Sequence, residues 1–300
     1  MLWEQTGLRW HLYKDRRELH FSPIAEGVLF PPCPQVITVH DALPLYDTTF
    51  MPRWVPYYQY VLPLLIRQST ATVCISEFTR QELLRLDPKL PQHKLRVIPP
   101  GVNQERFFPG NPEAAFKRWG LQGYLLMVGE GRPYKNPEVV VRALAELKQA
   151  VPLAICGRMP EHERARVEQI AREAGVLEQI RWLGYVSDAE LRDLYTGALA
   201  FVFPSRYEGF GLPTLEAMSC GAPVLSSNAA SLPEAGGSAA LYFSPDNPSA
   251  LAELIHLLHT EPERRELMRE AGLRHAEKFT WERSAKQHLE LFEEALYARY

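Results

Sequence analysis

The chain has 300 residues, 46% hydrophobic and 23% charged, with a net charge near −3. That length suits one large domain or two modest ones with cores of their own, and the composition excludes a disordered or fibrous chain. Residues 1–108 carry 12 Lys and Arg against 10 Asp and Glu, and the rest 21 against 26, so the parts sit at +2 and −5; neither has the concentrated basic surface of a nucleic-acid binder.

The N-terminus, Met1-Leu2-Trp3-Glu4-Gln5, has no basic stretch ahead of an apolar core, so no signal peptide is expected. No apolar run reaches the ~20 residues that span a bilayer. Val36–Val39, Thr72–Ile75 and Leu95–Ile98 read as strands, and the first two flank a Pro- and aromatic-rich stretch from Pro44 to Pro63. Within that stretch Trp54, Tyr57, Tyr58 and Tyr60 stand beside the apolar run Val61–Ile66. They read as core packing with a partly exposed face rather than as a sugar platform. The segment 104–123, with Pro109, Gly110, Pro112 and Gly120, reads as a linker and the entry to the second domain.

From Tyr124 onward, short apolar strands alternate with amphipathic helices. Tyr124–Gly129, Leu153–Cys156, Ile180–Leu183, Ala200–Phe203 and Pro223–Ser226 are the strands. Helices are expected over Pro137–Ala150, 161–174, 188–196 and Pro213–Cys220. Ser187-Asp188-Ala189-Glu190 is a capping box that opens the third. Such alternation predicts an α/β fold with a parallel sheet covered on both faces. Residues 281–300 read as a last amphipathic helix. Cys33, Cys74, Cys156 and Cys220 are scattered without a Cys-x-x-Cys pair, which argues against metal or disulfide roles and for a reducing, cytoplasmic setting.

The strongest chemical signal is the run Pro204-Ser205-Arg206-Tyr207-Glu208-Gly209-Phe210-Gly211-Leu212-Pro213-Thr214-Leu215-Glu216-Ala217-Met218. It follows a strand and enters a helix, which in a parallel sheet puts it at the strand ends where ligands bind. Gly209 and Gly211 allow sharp turns and close backbone approach, and Pro213 suits the first helical turn. The amides of Leu212, Thr214 and Leu215 are then expected to face outward at the positive helix end and to hold a diphosphate without a metal. Glu208 and Glu216 frame this site, and a carboxylate matches a vicinal diol such as a ribose.

A second candidate segment is Gly129-Glu130-Gly131-Arg132-Pro133-Tyr134-Lys135-Asn136, also after a strand. Arg132 offers a bidentate fork and Lys135 a point charge to a diphosphate. Such cations offset the charge that builds on a departing nucleoside diphosphate. The third is Val39-His40-Asp41-Ala42-Leu43-Pro44, at the end of the strand Val36–Val39.

The run from Glu208 to Glu216 resembles the E-x7-E signature of glycosyltransferase family 4, whose members are retaining enzymes of GT-B fold. Val97-Ile98-Pro99-Pro100-Gly101-Val102-Asn103 resembles the family's interdomain segment, and Leu183-Gly184-Tyr185-Val186 its base-binding loop. Ala222-Pro223-Val224 and Leu232-Pro233-Glu234 resemble downstream elements, so the likeness extends over roughly residues 36–300. It implies two Rossmann-like domains with parallel sheets. These are an incomplete, truncated N-terminal acceptor-side domain over 1–110 and a nucleotide-sugar-binding domain over 111–280. The helix over 281–300 is a candidate to cross back to the first.

By position, the resemblance gives Glu216 the donor ribose and Glu208 the transferred sugar. The Phe210, Gly211 and Leu212 backbone takes sugar hydroxyls, Leu212 and Thr214 with Arg132 and Lys135 the phosphates, and Tyr185 and Val186 the base. Tyr134 stands where relatives often carry Arg. His40 and Glu208 are the catalytic candidates, with His40 orienting substrate if the leaving phosphate itself takes the acceptor's proton. Asp41, Ser76 and Glu77 are acceptor-side candidates.

The implied reaction moves a sugar from a GDP-, UDP- or ADP-linked donor to a hydroxyl of a saccharide or lipid-linked acceptor. The anomeric configuration is retained and neither metal nor other cofactor is needed. Relatives begin with several strands before the His-Asp strand, the first followed by a glycine-rich loop. Here about 35 residues precede Val36, without such a loop. Missing strands are expected to leave an edge and apolar surface bare, to be covered by a second copy or a partner chain. The expected location is cytoplasmic, with peripheral contact at the inner membrane face as a variant. A non-catalytic nucleotide-sugar-binding or scaffold subunit and a GT-B sugar-nucleotide epimerase are the alternative readings.

Overall fold

The structure, a computed structural model, describes residues 2–49 and 51–297. The chain divides into two compact units. The first holds the residues up to Gly101, the short segment Glu208–Phe210 and everything from Trp281 on; the second holds Val102–Tyr207 and Gly211–Thr280.

In the first unit four strands form one parallel sheet in sequential order: β1 (His20–Ser22), β2 (Gln35–Val39), β3 (Ala71–Cys74) and β4 (Leu95–Val97). β2 and β3 are buried at every position, as expected of parallel strands covered on both faces. One face packs on Tyr57, Leu62, Leu65, Ile66 and Leu83. The other packs on Leu291 and Ala295 of the final helix, Trp281–Tyr297, against Val36, Ala71, Val73 and Ile98. Phe21 of β1 meets Phe292 at a ring separation of 4.9 Å. The last three positions of the helix expected over 281–300 lie outside the described residues.

The second unit holds six parallel strands: β5 (Leu125–Val128), β6 (Leu153–Cys156), β7 (Ile180–Gly184), β8 (Ala200–Phe203), β9 (Val224–Ser227) and β10 (Leu241–Phe243). Their spatial order is β10-β9-β8-β5-β6-β7. The chain starts at the middle with β5, steps outward to β7, then returns to the other side of β5 for β8 to β10. This is the doubly wound order, with its reversal between β5 and β8. Helix Pro137–Glu146 starts on Pro137 and buries Val139, Val140, Ala143 and Leu144 on the sheet. Helix Asp188–Gly197 opens on the reciprocal Ser187 and Glu190 capping box.

The segment 104–123, expected as a linker and the entry to the second domain, is the start of the second unit and is partly helical. Ala114–Trp119 is helical and ends on Gly120 at φ 65°, a left-handed cap that suits glycine. The division also falls after Gly101, and Val102 bridges Thr280 within the second unit, its N–H donating to the Phe279 carbonyl at 2.9 Å. β1 and β10, three residues each, and the long helices Pro248–Thr260 and Pro262–Ala276 add to the elements read from sequence. All four cysteines are buried thiols. Among the described residues no helix is long and apolar enough to cross a membrane.

Candidate functional site

In the second unit the two candidate anion-binding segments follow β5 and β8, the neighbouring strands at the reversal point of the sheet. Topology therefore brings them together, and specific bonds fix them. The Arg206 N–H donates to the Tyr134 carbonyl at 2.8 Å. Asn136, buried and in the left-handed region at φ 55°, donates its side-chain amide to the carbonyls of Pro204 at 3.2 Å and Pro245 at 2.8 Å. Asn tolerates this conformation better than most residues. Asn136 went unnoticed in the sequence, although an Asn-Pro pair ahead of an apolar helix marks such a turn.

Lys135 sits on a single helical turn, Pro133–Lys135, with its Nζ 5.2 Å from the Phe203 ring centre and 5.4 Å from that of Tyr134. Aromatic faces attract an ammonium group through the ring quadrupole. Phe203 is the last residue of β8, so the cation is registered against the start of the second segment. Arg132 is placed differently: it forms an ion pair with Glu130 at 3.7 Å, between two solvent-facing side chains.

Helix Leu212–Ser219 begins on Gly211 at φ 107°. A Cβ there would come within 2.6 Å of Leu232, so both dihedral angle and space demand glycine. Leu212 and Pro213 are half-buried at the helix start. Thr214 corrects the expectation of an outward amide, because its N–H donates to the Gly211 carbonyl at 2.9 Å. Its hydroxyl is fully buried. The tight first turn forced by Gly211 consumes that donor.

Glu216 lies one turn further on and accepts a hydrogen bond from the buried Tyr195 hydroxyl at 3.4 Å. Burial pushes its carboxyl up to about 7, the Tyr195 bond opposes that rise, and the charge of Asp188 adds to it. A carboxylate held at such a cost in desolvation is a common mark of a functional group. Tyr195 was not singled out in the sequence; its helical spacing reads simply as core. Tyr185 and Val186 follow β7, and the Tyr185 ring is 78% exposed.

The first unit gathers the remaining candidates. His40 follows β2 and is exposed; its Nε2–H donates to the Pro23 carbonyl at 2.8 Å. In the neutral ring that fixes the proton on Nε2 and leaves the Nδ1 lone pair to accept from a hydroxyl. Asp41 accepts the Leu43 N–H at 2.9 Å, and burial raises its carboxyl above the usual range. Glu208, Gly209 and Phe210 group with this unit. A Cβ on Gly209 would lie 2.3 Å from the His40 carbonyl oxygen, and the Thr79 hydroxyl bonds both that oxygen, at 3.1 Å, and the Gly209 carbonyl, at 3.4 Å.

Ser76 and Glu77 do other things than expected. The buried Ser76 hydroxyl accepts the Thr79 N–H at 3.0 Å and caps helix Glu77–Leu86. Glu77 accepts from Arg80 at 2.8 Å and from Gln81 at 2.6 Å along the same helix. Serine is a preferred N-cap residue, and side chains three and four apart on a helix pair, which accounts for both. The aromatic stretch is core packing with a partly exposed face, as read from sequence, and the exposed face opens on a cleft. Tyr57 is core, and Trp54 and Tyr58 line this open cleft of about 340 Å³ with His40 and Asp41.

The sequence profile of the family described as Glycosyl transferases group 1 matches residues 114–275, and that of Glycosyltransferase Family 4 matches 19–106. The chain is 33% identical over 265 residues to O-antigen chain mannosyltransferase B of Escherichia coli, covering 84% of this chain and 68% of that one. It is also 33% identical over 216 residues to the D-inositol 3-phosphate glycosyltransferase of Corynebacterium jeikeium, covering 67% of this chain and 52% of the relative. The chain thus spans about half the length of that second relative. Among solved structures, sucrose-phosphate synthase from Thermosynechococcus elongatus superimposes with a TM-score of 0.80 at 22% identity, over 98% of this chain and 77% of its own. Anabaena HepE, in complex with UDP, does so with a TM-score of 0.83 at 16% identity, over 96% and 81%. These two share the fold: paired Rossmann-like α/β units with parallel sheets, as in GT-B glycosyltransferases.

Proposed function

The chain belongs to the glycosyl transferases group 1 family, and on that premise we propose that it is a retaining glycosyltransferase. It moves a hexosyl group from a nucleoside diphosphate to a hydroxyl of a saccharide or lipid-linked acceptor. The observation that carries the reading is the pairing at the sheet reversal of the second unit: Lys135 after β5 and the glycine-led helix start after β8, tied by the Arg206, Tyr134 and Asn136 bonds. A diphosphate suits a lysine beside a helix N-terminus. The names of the mannosyl- and glycosyltransferase relatives agree with a sugar as the group transferred.

In this reading Glu216 accepts the ribose hydroxyls, Tyr185 and Val186 cover the base, and the Gly211–Leu212 backbone meets sugar hydroxyls. Lys135, with Arg132 once released from Glu130, offsets the growing charge on the departing diphosphate, so no metal is called for. The acceptor oxygen bonds to the anomeric carbon on the face that the diphosphate leaves. The anomeric carbon–oxygen bond to the phosphate breaks, and the acceptor's proton passes to the leaving phosphate oxygen. His40 accepts from the acceptor hydroxyl through Nδ1 and orients it, and Glu208 holds the sugar in transfer.

Proton NMR of products from a panel of GDP-, UDP- and ADP-sugars with saccharide acceptors tests the assignment. A new glycoside with the donor's anomeric configuration is expected. An inverted product, or a donor sugar isomerised without transfer, contradicts it.

A further inference from the structure

We infer that the cleft beside His40 binds an uncharged sugar ring stacked on Trp54 as the accepting end of the substrate, and discriminates against a phosphorylated one. The inference rests on the glycosyl-transfer reading above and narrows its acceptor.

The cleft lies wholly within the first unit and has a volume of about 340 Å³, near the lower end of the ~300–1,000 Å³ of small-ligand sites. One part of its wall is apolar and reachable: Trp54 and Met51 are each 38% exposed. Trp54 is braced edge-on by Tyr57, with ring centres 5.6 Å apart at 84°. Tyr57 is itself buried and donates its hydroxyl to the Ala25 carbonyl at 2.6 Å. A braced indole presents a flat apolar face, which matches the C–H face of a sugar ring whose hydroxyls project around its rim.

The rest of the wall supplies partners for those hydroxyls. Asp41 and Glu26 bring carboxylates, which accept, and His40 brings the Nδ1 lone pair. Tyr58 brings a phenol that donates. Burial and the nearby charges of Asp41 and Glu26 push it up to about 12, so it keeps its proton. A phosphoryl group would bring negative charge against two carboxylates, with no lysine or arginine among the described lining residues to receive it. Juxtaposed like charges repel, which sets specificity against the phosphorylated ring. The same set of acids and an aromatic platform asks nothing of a neutral ring except its hydroxyls and its apolar face.

Saturation-transfer NMR on the full chain tests this with methyl α-mannoside and methyl α-glucoside, each paired with its 6-phosphate. At least one neutral glycoside is expected to bind, with its 6-phosphate weaker by about tenfold or more. Trp54→Ala is expected to weaken the neutral ligand about tenfold, Trp54→Phe to keep most of the binding, and Glu26→Lys to narrow the gap by strengthening the phosphorylated one. Phosphorylated ligands that bind as well as neutral ones, an unchanged Trp54→Ala, or no saccharide bound would each overturn the inference. Thermal stabilisation by nucleotide sugars, measured on the same samples, separates the two levels. If it persists, only the acceptor inference falls; if it is absent, the glycosyl-transfer reading falls as well.

Discussion

Glu216 concentrates the energetic conflict of the proposed donor site in a single residue. Its carboxyl titrates near 7 in the folded chain against an ordinary 4.5. The unfolded chain is ionised above about 4.5 while the folded chain keeps the proton until about 7. Stability is therefore unaffected below 4.5, falls as pH rises through that window, and is lowest above 7. Glu216→Gln is expected to raise stability above pH 7 by up to about 3 kcal/mol, with no gain at pH 4. Donor affinity moves the other way. On the proposed role the ionised carboxylate accepts from two ribose hydroxyls, so wild-type affinity should decline as pH drops below 7 and the Gln variant should bind weakly at every pH. Denaturation and donor titrations at pH 5, 6, 7 and 8 check both signs. The identity of Glu216 was legible from its spacing to Glu208, but its partner Tyr195 was not, since the contact joins two helices 21 residues apart. Ser76 was misread for the opposite reason: its local capping pattern was present and was passed over in favour of a likeness of position.

At the scale of elements, the short strands and the helices between them were readable because buried parallel strands are continuous apolar runs; Leu153–Cys156 and Ala200–Phe203 are found at their expected bounds. β1 and β10, three residues each, were not among the strands read from sequence. The order of strands is invisible in any local window, yet it is what sets the segment of Lys135 beside that of Gly211. The loop Glu208–Phe210 is an element in its own right, seated in the first unit through Gly209 against the His40 carbonyl. Gly209→Ala places a methyl where there is no room. The expected result is a loss of turnover of about a hundredfold or more, from displacement of Glu208 and His40, with donor binding by the second unit retained. Steady-state turnover alongside donor titration decides this, and near-normal turnover speaks against the seating of Glu208.

Over the whole molecule, two cores carry two sets of candidate residues. The second unit holds Lys135, the glycine-led helix start and the raised Glu216 carboxyl; the first holds His40 and the acidic cleft lined by Trp54. The signature that reads as one continuous run in sequence, Glu208 to Glu216, is shared between them. The two-unit plan came from the resemblance to glycosyltransferase family 4, while the strand and helix pattern by itself reached only the parallel sheet after Tyr124. Sequence reading set the division at 110 rather than after Gly101 because Pro and Gly between 109 and 120 read as a linker, whereas Val102 is anchored to Thr280 by tertiary contacts.

The account turns on the second unit gripping a nucleoside diphosphate through Lys135. The most direct measurement is the thermal unfolding of the full chain with GDP-mannose, UDP-glucose and ADP-glucose, compared with Lys135→Ala. Wild-type protein should be stabilised by about 3 °C or more with at least one donor at saturating concentration, and the variant should lose that shift while unfolding normally without ligand. Equal stabilisation of both proteins, or of neither, contradicts the account.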